Sequence, residues 1–493
     1  MSGLDAAIVC AYAIAVLWIG WRVSRRDASA DALALAERRV PVWAALLSMS
    51  ATELSAATFI GVPQAAYLGD WSFLQLAFGS LLAKVVLAAR VITLYHRLEV
   101  VTVYGFLELR FGGLARRLCA GAFVLGRLGA SGVRLFIAAL ALSVATGLPI
   151  EGAILLAGGV AGLYTLAGGL RAVIWTDTLQ AGLLIVGALA LIVTLGAALD
   201  GGWPGILEWA RAGDRTRVFH LTPLFSLASG TPFGVALIGA FFLTLATHAT
   251  DHDMVQRLLA TRDGRGGGRA LLGSALLNFP LTALFLLIGT GLAWFYATAA
   301  SSTGPAVDAS TRVLPIFALN EVPAGLRGLL FAGLFAAAMS SLDSAICALS
   351  TTWVYDVRPG PPAAPASAAR IRVGSLCFAA LLVSAAIAMA HYHAWLEARP
   401  AAEGGPSLID FALSSMTILY GALLGVFGLG ILTRERGSPR SVAIALVVGA
   451  CVGLALFLQP VFGGETRLAW PWWVPVTAAL SFGIGCLGRR ERA

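Results

Sequence analysis

Apolar stretches without charge recur along the whole chain. Uncharged runs cover residues 178–199, 270–307, 411–433, 441–464 and 468–488. Each can cross a bilayer core of about 30 Å, which takes about 20 helical residues. Extended to all charge-poor stretches, the pattern predicts thirteen helices: 4–22, 41–68, 73–95, 118–147, 150–169, 172–198, 232–251, 270–297, 326–355, 373–392, 408–432, 441–461 and 469–487. The connections 199–231 and 298–325 carry Gly, Pro and Ser and have room for short surface helices. RDGRGGGR (262–269) and RPGPPAAPASAA (358–369) read as flexible cytoplasmic loops. Two spans, the second (41–68) and the seventh (232–251), are interrupted by polar residues. They lie five helices apart, and broken helices in corresponding halves suggest an inverted-repeat transporter.

Of the 493 residues, 58% are hydrophobic and 12% charged, where a soluble domain carries about a quarter charged. So little charge cannot cover a water-facing surface of this size. That excludes a soluble enzyme, a nucleic-acid module and a disordered chain, and leaves an all-α polytopic membrane protein. The net charge of +8 marks loops: Lys84 is the single lysine among 34 basic residues, and the arginines form small clusters between apolar stretches. With the N-terminus outside, the alternate loops hold 23 arginines inside and seven outside, the bias expected of cytoplasmic loops. An even number of spans would scramble that bias. MSGLDAAIVC lacks the basic start of a cleaved signal peptide, so the first apolar stretch is expected to be a retained helix. The six cysteines form no CxxC pair, which suggests neither a zinc site nor a disulfide framework.

Charged groups at bilayer depth cost about 2.5–3.5 kcal/mol each and usually face a cavity or a partner. Glu53, Lys84, Arg90, Arg127, Arg134, Asp177, Asp251, Asp253 and Asp343 are of this kind. In SMSATELSAATFIG (48–61), Ser48, Ser50, Thr52, Ser55 and Thr58 crowd around Glu53. Such a stretch suits a helix that unwinds and leaves carbonyls for a cation. Close packing through small residues is the other reading. In FAAAMSSLDSAICALSTT (335–352), Ala337, Ser340, Ser341 and Ser344 share one stripe, with Asp343 beside it. That stripe offers hard oxygens to sodium, or a packing face. WTDTLQAG (175–182) sets Asp177 and Gln180 on one face. A buried acid there binds a second cation, carries a proton or pairs with a membrane arginine. ATHATDHDMVQR (246–257) gathers His248, Asp251, His252 and Asp253, which fit a metal cluster or a polar pathway lining. Gln256 and Arg257 are expected at the cytoplasmic surface. Thr244, Thr247 and His248 share a helix face, either toward the pathway or bonded back to their own helix.

Five segments together resemble the sodium/solute symporter family over residues 40–435: SATELSAATFIGVPQAAY (50–67), VTVYGFLELRFG (101–112), GGLRAVIWTDTLQ (168–180), DHDMVQRLLA (251–260) and AAMSSLDSAICALSTT (337–352). The resemblance implies a leucine-transporter-type fold with ten core helices, 41–68 through 408–432, in two inverted five-helix repeats. It implies a sodium site made of the carbonyls of Ala51, Leu54 and Ala337 and the hydroxyls of Ser340 and Ser341. A second sodium, bound by some members, falls on Asp177, Ser340 and Ser344, with Asp343 where sialic acid symporters carry a serine. Glu53, Ser55, Thr58, Gln75, Thr244, Thr247 and His248 are expected to line the solute pocket. A sugar is disfavoured, because Glu53 stands where sugar transporters carry Asn, and Ala77, Thr244 and Thr247 replace polar groups, the two threonines being shorter.

The expectation is one membrane domain over 1–493: an extra helix and loop (1–40), the core (41–435) and two further helices (436–493). It is expected in the inner membrane, N-terminus out and C-terminus cytoplasmic. There it imports a small polar solute by alternating access, with sodium as coupling ion and no covalent chemistry. The expected partners are the solute and the lipid bilayer, with no nucleic acid and no obligate protein partner. The rivals are a proton-coupled transporter of the same fold and a solute sensor that does not transport.

Overall fold

The computed structural model describes residues 2–24, 29–198, 201–299, 312–359, 367–397, 408–459 and 468–489. These residues are almost entirely helical. α1 (Gly3–Ser24) precedes the short α2 (Ala30–Leu35), where the Ser29 hydroxyl accepts the Ala32 N–H. The second predicted span is two helices, α3 (Val42–Glu53) and α4 (Ala56–Leu68), bent by 55°. α5 (Gln75–Val86) and α6 (Ile92–Arg97) run on through a widened turn as one span, Ser72–Arg97. α7 (Val103–Phe111) and α8 (Gly113–Thr146) follow. α9 (Ile150–Ala198) is kinked at Gly169, between two predicted spans. α10 (Gly202–Ala212) precedes the second broken pair, α11 (Phe233–Ala249) and α12 (His252–Leu259), bent by 62°. Then come α13 (Gly264–Ala299), α14 (Val313–Asn320), α15 (Leu326–Thr352) and α16 (Ala368–Glu397). α17 (Leu408–Leu432), α18 (Pro439–Phe457) and α19 (Trp473–Cys486) end the chain.

Among the described residues, nine helices are long and apolar enough to cross a membrane, and counting each bent pair as one span gives eleven. The two other predicted ranges fall on shorter apolar stretches, Ile150–Leu163 and the 14-residue α19.

Both breaks have local causes. Leu54 leaves the helical region (φ −85°, ψ 59°) and Ser55 is extended (φ −72°, ψ 177°). The Thr58 hydroxyl donates to the Glu53 carbonyl at the break and so satisfies part of the freed backbone, while the Thr52 hydroxyl donates back to the Ser48 carbonyl within α3. At the second break, Asp251 is extended and its carboxylate accepts the Asp253 N–H at 2.9 Å. The hydroxyls of Tyr95 and Tyr104 donate to the carbonyls of Ala249 and Thr250 at 2.8 and 2.7 Å.

α15 is the most enclosed of these spans and packs against α9, α1, α8 and α3. α11 packs on α5 and α17, and α18 and α19 cover the far side of α17. In lipid such contacts depend on close van der Waals approach rather than on hydrophobic burial. Residues 264–269, expected as a flexible loop, form the first turns of α13. A Cβ on Gly267 would lie 2.9 Å from Ile92 and 3.0 Å from the Leu258 carbonyl, so these glycines serve contact and not flexibility. In the other expected loop, 360–366 lie outside the described residues. The segment 29–40, expected in a cytoplasmic loop, is packed into the bundle. Ala32 to Ala36 are buried, and the Ala34 carbonyl accepts from Gln256 at 2.7 Å. The Gly169 kink makes room for it: Gly169 has φ +56°, and a Cβ there would lie 2.8 Å from the Leu33 Cα.

Gly289 on α13 lies against α4, where a Cβ would come within 2.2 Å of the Pro63 carbonyl oxygen. Gly289→Val should therefore overpack this contact at a cost of about 1–3 kcal/mol and lower the unfolding midpoint in detergent. Gly182→Val, with nothing within 4 Å of its added Cβ, should leave the midpoint unchanged.

Candidate functional site

The break between α3 and α4 faces α15. The Ser340 hydroxyl donates to the Ala51 carbonyl at 3.0 Å and lies 3.2 Å from the Ala337 carbonyl. Three of the five oxygens expected around sodium therefore meet. The fourth, the Leu54 carbonyl, belongs to the residue at which the backbone leaves the helix. The fifth, the Ser341 hydroxyl, is buried without a hydrogen-bond partner. A buried oxygen left over next to Ser340, on the helix that faces the break, suits a hard cation.

The residues expected around a second ion have different partners. One Asp177 oxygen accepts from the Ser48 hydroxyl at 2.5 Å and from Arg257 at 3.4 Å, while the other has no partner. Asp343 accepts from the Ser344 N–H at 2.6 Å and from Thr176 at 3.4 Å. The Ser344 hydroxyl donates toward Asp253 at 3.4 Å, and Ser340 turns to Ala51.

Gln256 and Arg257 were expected at the surface, yet they are buried together with Asp251, His252 and Asp253. The reason is mutual charge compensation. Arg127 bonds Asp251 at 2.9 Å and also bonds Asp253, Arg257 bonds Asp253 at 2.8 Å, and the Tyr420 hydroxyl donates to Asp251. Among the described residues no group of His, Cys, Asp and Glu is arranged to hold a metal ion, so the quartet His248–Asp251–His252–Asp253 is not a metal cluster. Four buried carboxylates, Asp177, Asp251, Asp253 and Asp343, stand against three guanidiniums, those of Arg127 and Arg257 in contact and that of Arg134 at longer range. In a weakly polar interior that excess is relieved by a bound cation or a proton.

On the other side of the break lies a cavity of about 210 Å³. Of the residues expected around the solute, Glu53, Thr58, Thr244, Thr247 and His248 line it, and Ala77 is among its walls. Ser55 and Gln75 lie outside its lining. Ser55 is buried at the start of α4. The Gln75 amide donates to the carbonyls of Ser72 and Thr231 and accepts the His220 N–H, which ties it to the segment before α11. Thr247 donates back to the Leu243 carbonyl at 2.9 Å.

Glu53 is not free for a solute. Lys84 donates to both its oxygens at 2.6 and 2.8 Å, Asn278 donates at 2.8 Å, and Ser274 and His248 lie at 3.2 Å. Sequence reasoning missed Ser274 and Asn278, because α13 reads as an uninterrupted apolar run. The signal was a lone amide in that run, opposite the only lysine of the chain. Arg134 also lines the cavity; its Nη2 reaches only the Met416 sulfur at 3.5 Å, and its Nη1 has no partner. Arg90, by contrast, is exposed, as a snorkelling side chain would be.

An all-helical bundle with two helices broken part-way, one facing a row of serines and both bordering a central cavity, defines a secondary transporter. The chain belongs to the sodium:solute symporter family, whose family model matches residues 34–433. It is a transporter rather than an enzyme, and sodium is the family's coupling ion. The chain is 29% identical to the sodium/sialic acid symporter of Proteus mirabilis (strain HI4320), covering 94% of this chain and 90% of that one. It is 27% identical to sodium-coupled monocarboxylate transporter 1 of Homo sapiens, covering 87% and 68%. Its shape matches a substrate-bound, outward-open Na+-coupled sialic acid symporter with a TM-score of 0.86, both chains covered in full at 24% identity. At that identity the match speaks for the fold alone.

Lys84→Met would strand Glu53 in a largely enclosed site. Removing one partner of a buried ion pair costs about 3–5 kcal/mol. The double variant Lys84→Met/Glu53→Gln should lose less than Lys84→Met alone. Unfolding midpoints in a double-mutant cycle check this, and strictly additive losses would mean that the two groups do not interact.

Proposed function

We propose that the protein is a sodium-coupled symporter that imports a small carboxylate-bearing solute across the inner membrane by alternating access. The observation that carries this reading is the meeting of the Ala51 carbonyl and the Ser340 hydroxyl at the break of α3 and α4, with the Ser341 hydroxyl left unbonded on the same helix. Sodium would be held by the carbonyls of Ala51, Leu54 and Ala337 and by the hydroxyls of Ser340 and Ser341. The Ser340–Ala51 hydrogen bond then gives way, and both oxygens turn to the ion. The same break carries Glu53 and Thr58 on its cavity side. An ion that fixes the break therefore also fixes one wall of the solute pocket, and the two ligands strengthen each other reciprocally. A second cation would use the unbonded oxygen of Asp177 with Ser340, Asp343 and Ser344.

Arg134 supports an anionic solute. It faces the cavity without an ion pair to a protein carboxylate among the described residues, Asp251 and Asp253 acting on it only from a longer distance, and a guanidinium binds a carboxylate through two parallel N–H donors. Glu53, Thr58, Thr244, Thr247 and His248 are the further pocket groups, with Glu53 acting through its pair with Lys84. The topology we propose has thirteen spans, ten of them in two inverted five-helix repeats over 41–435, with the N-terminus outside.

Ser340→Ala and Ser341→Ala should each remove one ion ligand while keeping the helix, since Ala suits a helix at least as well as Ser. Losing a charge-assisted contact of about 1.5–3 kcal/mol corresponds to about a ten- to hundredfold rise in the sodium giving half-maximal thermal stabilisation. Wild-type sodium titrations in both variants would leave the stripe as packing only. The topology has its own check in a cysteine-free background. A cysteine at Arg265 should be labelled from the cytoplasm and one at Gly213 from outside, and the opposite pattern would overturn the orientation.

A further inference from the structure

Trp470 lies beyond residues 34–433, the stretch that matches the family model, yet its side chain lines the central cavity. Its indole N–H donates to Asp410 at 2.9 Å, at the start of α17. The backbone around it is fixed on the other side. The Ala469 N–H donates to the Leu227 carbonyl at 2.7 Å, and the Trp472 indole donates to the Ser226 carbonyl at 2.8 Å. Pro471 lies so close to α11 that a Cβ on Gly239 would come within 2.3 Å of its own Cβ. The turn Trp470–Trp472 thus bridges α11 and α17 and holds one aromatic ring at the edge of the pocket.

The wall that this ring joins on α17 is apolar: Ile409 and Leu413, neighbours of its partner Asp410, line the cavity with it, and Phe73, Leu76 and Phe279 line the same cavity. The indole N–H is already spent on Asp410. A solute body set against this wall meets carbon, and hydroxyls placed there would lose water without gaining partners. Resting on Arg134 as the anchor for a carboxylate, we propose that Trp470 is a specificity-determining residue. It completes an apolar half-pocket that selects carboxylates with an aliphatic or aromatic body over polyhydroxylated sugar acids.

The test uses the full-length purified protein in sodium, with phenylacetate, propionate and sialic acid as probes in thermal-shift titrations. Wild type should bind phenylacetate more tightly than sialic acid. Trp470→Ala, losing one buried aromatic face, should weaken phenylacetate by about ten- to hundredfold, while Trp470→Phe keeps most of the affinity. Propionate, which has no ring to lay against the indole, should change far less in Trp470→Ala. Equal weakening of both probes would mark Trp470 as merely structural, and unchanged phenylacetate binding would remove it from the pocket. Sialic acid bound more tightly than phenylacetate, or no phenylacetate binding by wild type, would overturn the apolar selection. Arg134→Gln separates the two claims. It should abolish binding of both phenylacetate and propionate, and if it does not, the anchor fails while the Trp470 comparison still stands on its own.

Discussion

A helix that unwinds inside a bilayer exposes backbone carbonyls and N–H groups that no lipid can satisfy. The break at Leu54–Ser55 is such a place, and its surroundings follow from the need to satisfy it. Thr52 and Thr58 turn their hydroxyls back to the chain, and Ser340 reaches across from α15 to Ala51. α15 can come that close because Ala337, Ser340, Ser341 and Ser344 are small and lie on one stripe. What remains, carbonyls at the break and the unbonded Ser341 oxygen, is a set of hard oxygens with too few donors. A monovalent cation corrects that shortage without adding a proton donor.

The buried charges divide into two groups with different roles. On the cavity side, Glu53 and Lys84 compensate each other, and Asn278, Ser274 and His248 complete the hydrogen bonding. That pair stiffens the pocket wall beside the break. Elsewhere, the four carboxylates of Asp177, Asp251, Asp253 and Asp343 outnumber the guanidiniums of Arg127 and Arg257 even with Arg134 counted at longer range. An interior with excess negative charge, next to oxygens short of donors, is prepared for cations. Arg134, which lines the cavity, is the group on which the proposal of an anionic solute rests.

The sequence made legible whatever depends on neighbours in the chain. Uncharged runs marked the spans, clustered hydroxyls marked the unwound stretch around Glu53, and spacings of three and four marked the serine stripe. Partners far away in the chain were not legible. Glu53 reads as a solute ligand until Lys84 and Asn278 are seen beside it, and Asn278 lies 225 residues away. Gln75 reads as a pocket residue until its amide is found on Thr231. RDGRGGGR reads as a loop because glycine serves flexibility and close contact equally, and only the facing Ile92 and Leu258 decide between them. Trp470 carried no signal at all, since an aromatic residue at the end of an apolar span usually marks the membrane interface.

The central claim is that the broken helix and the serine stripe together hold sodium. Equilibrium binding of radioactive sodium to the purified wild-type protein tests it most directly. Saturable binding of at least one ion per chain, persisting in excess potassium, is the expected result. Binding that does not saturate, or that potassium displaces on equal terms, would contradict it.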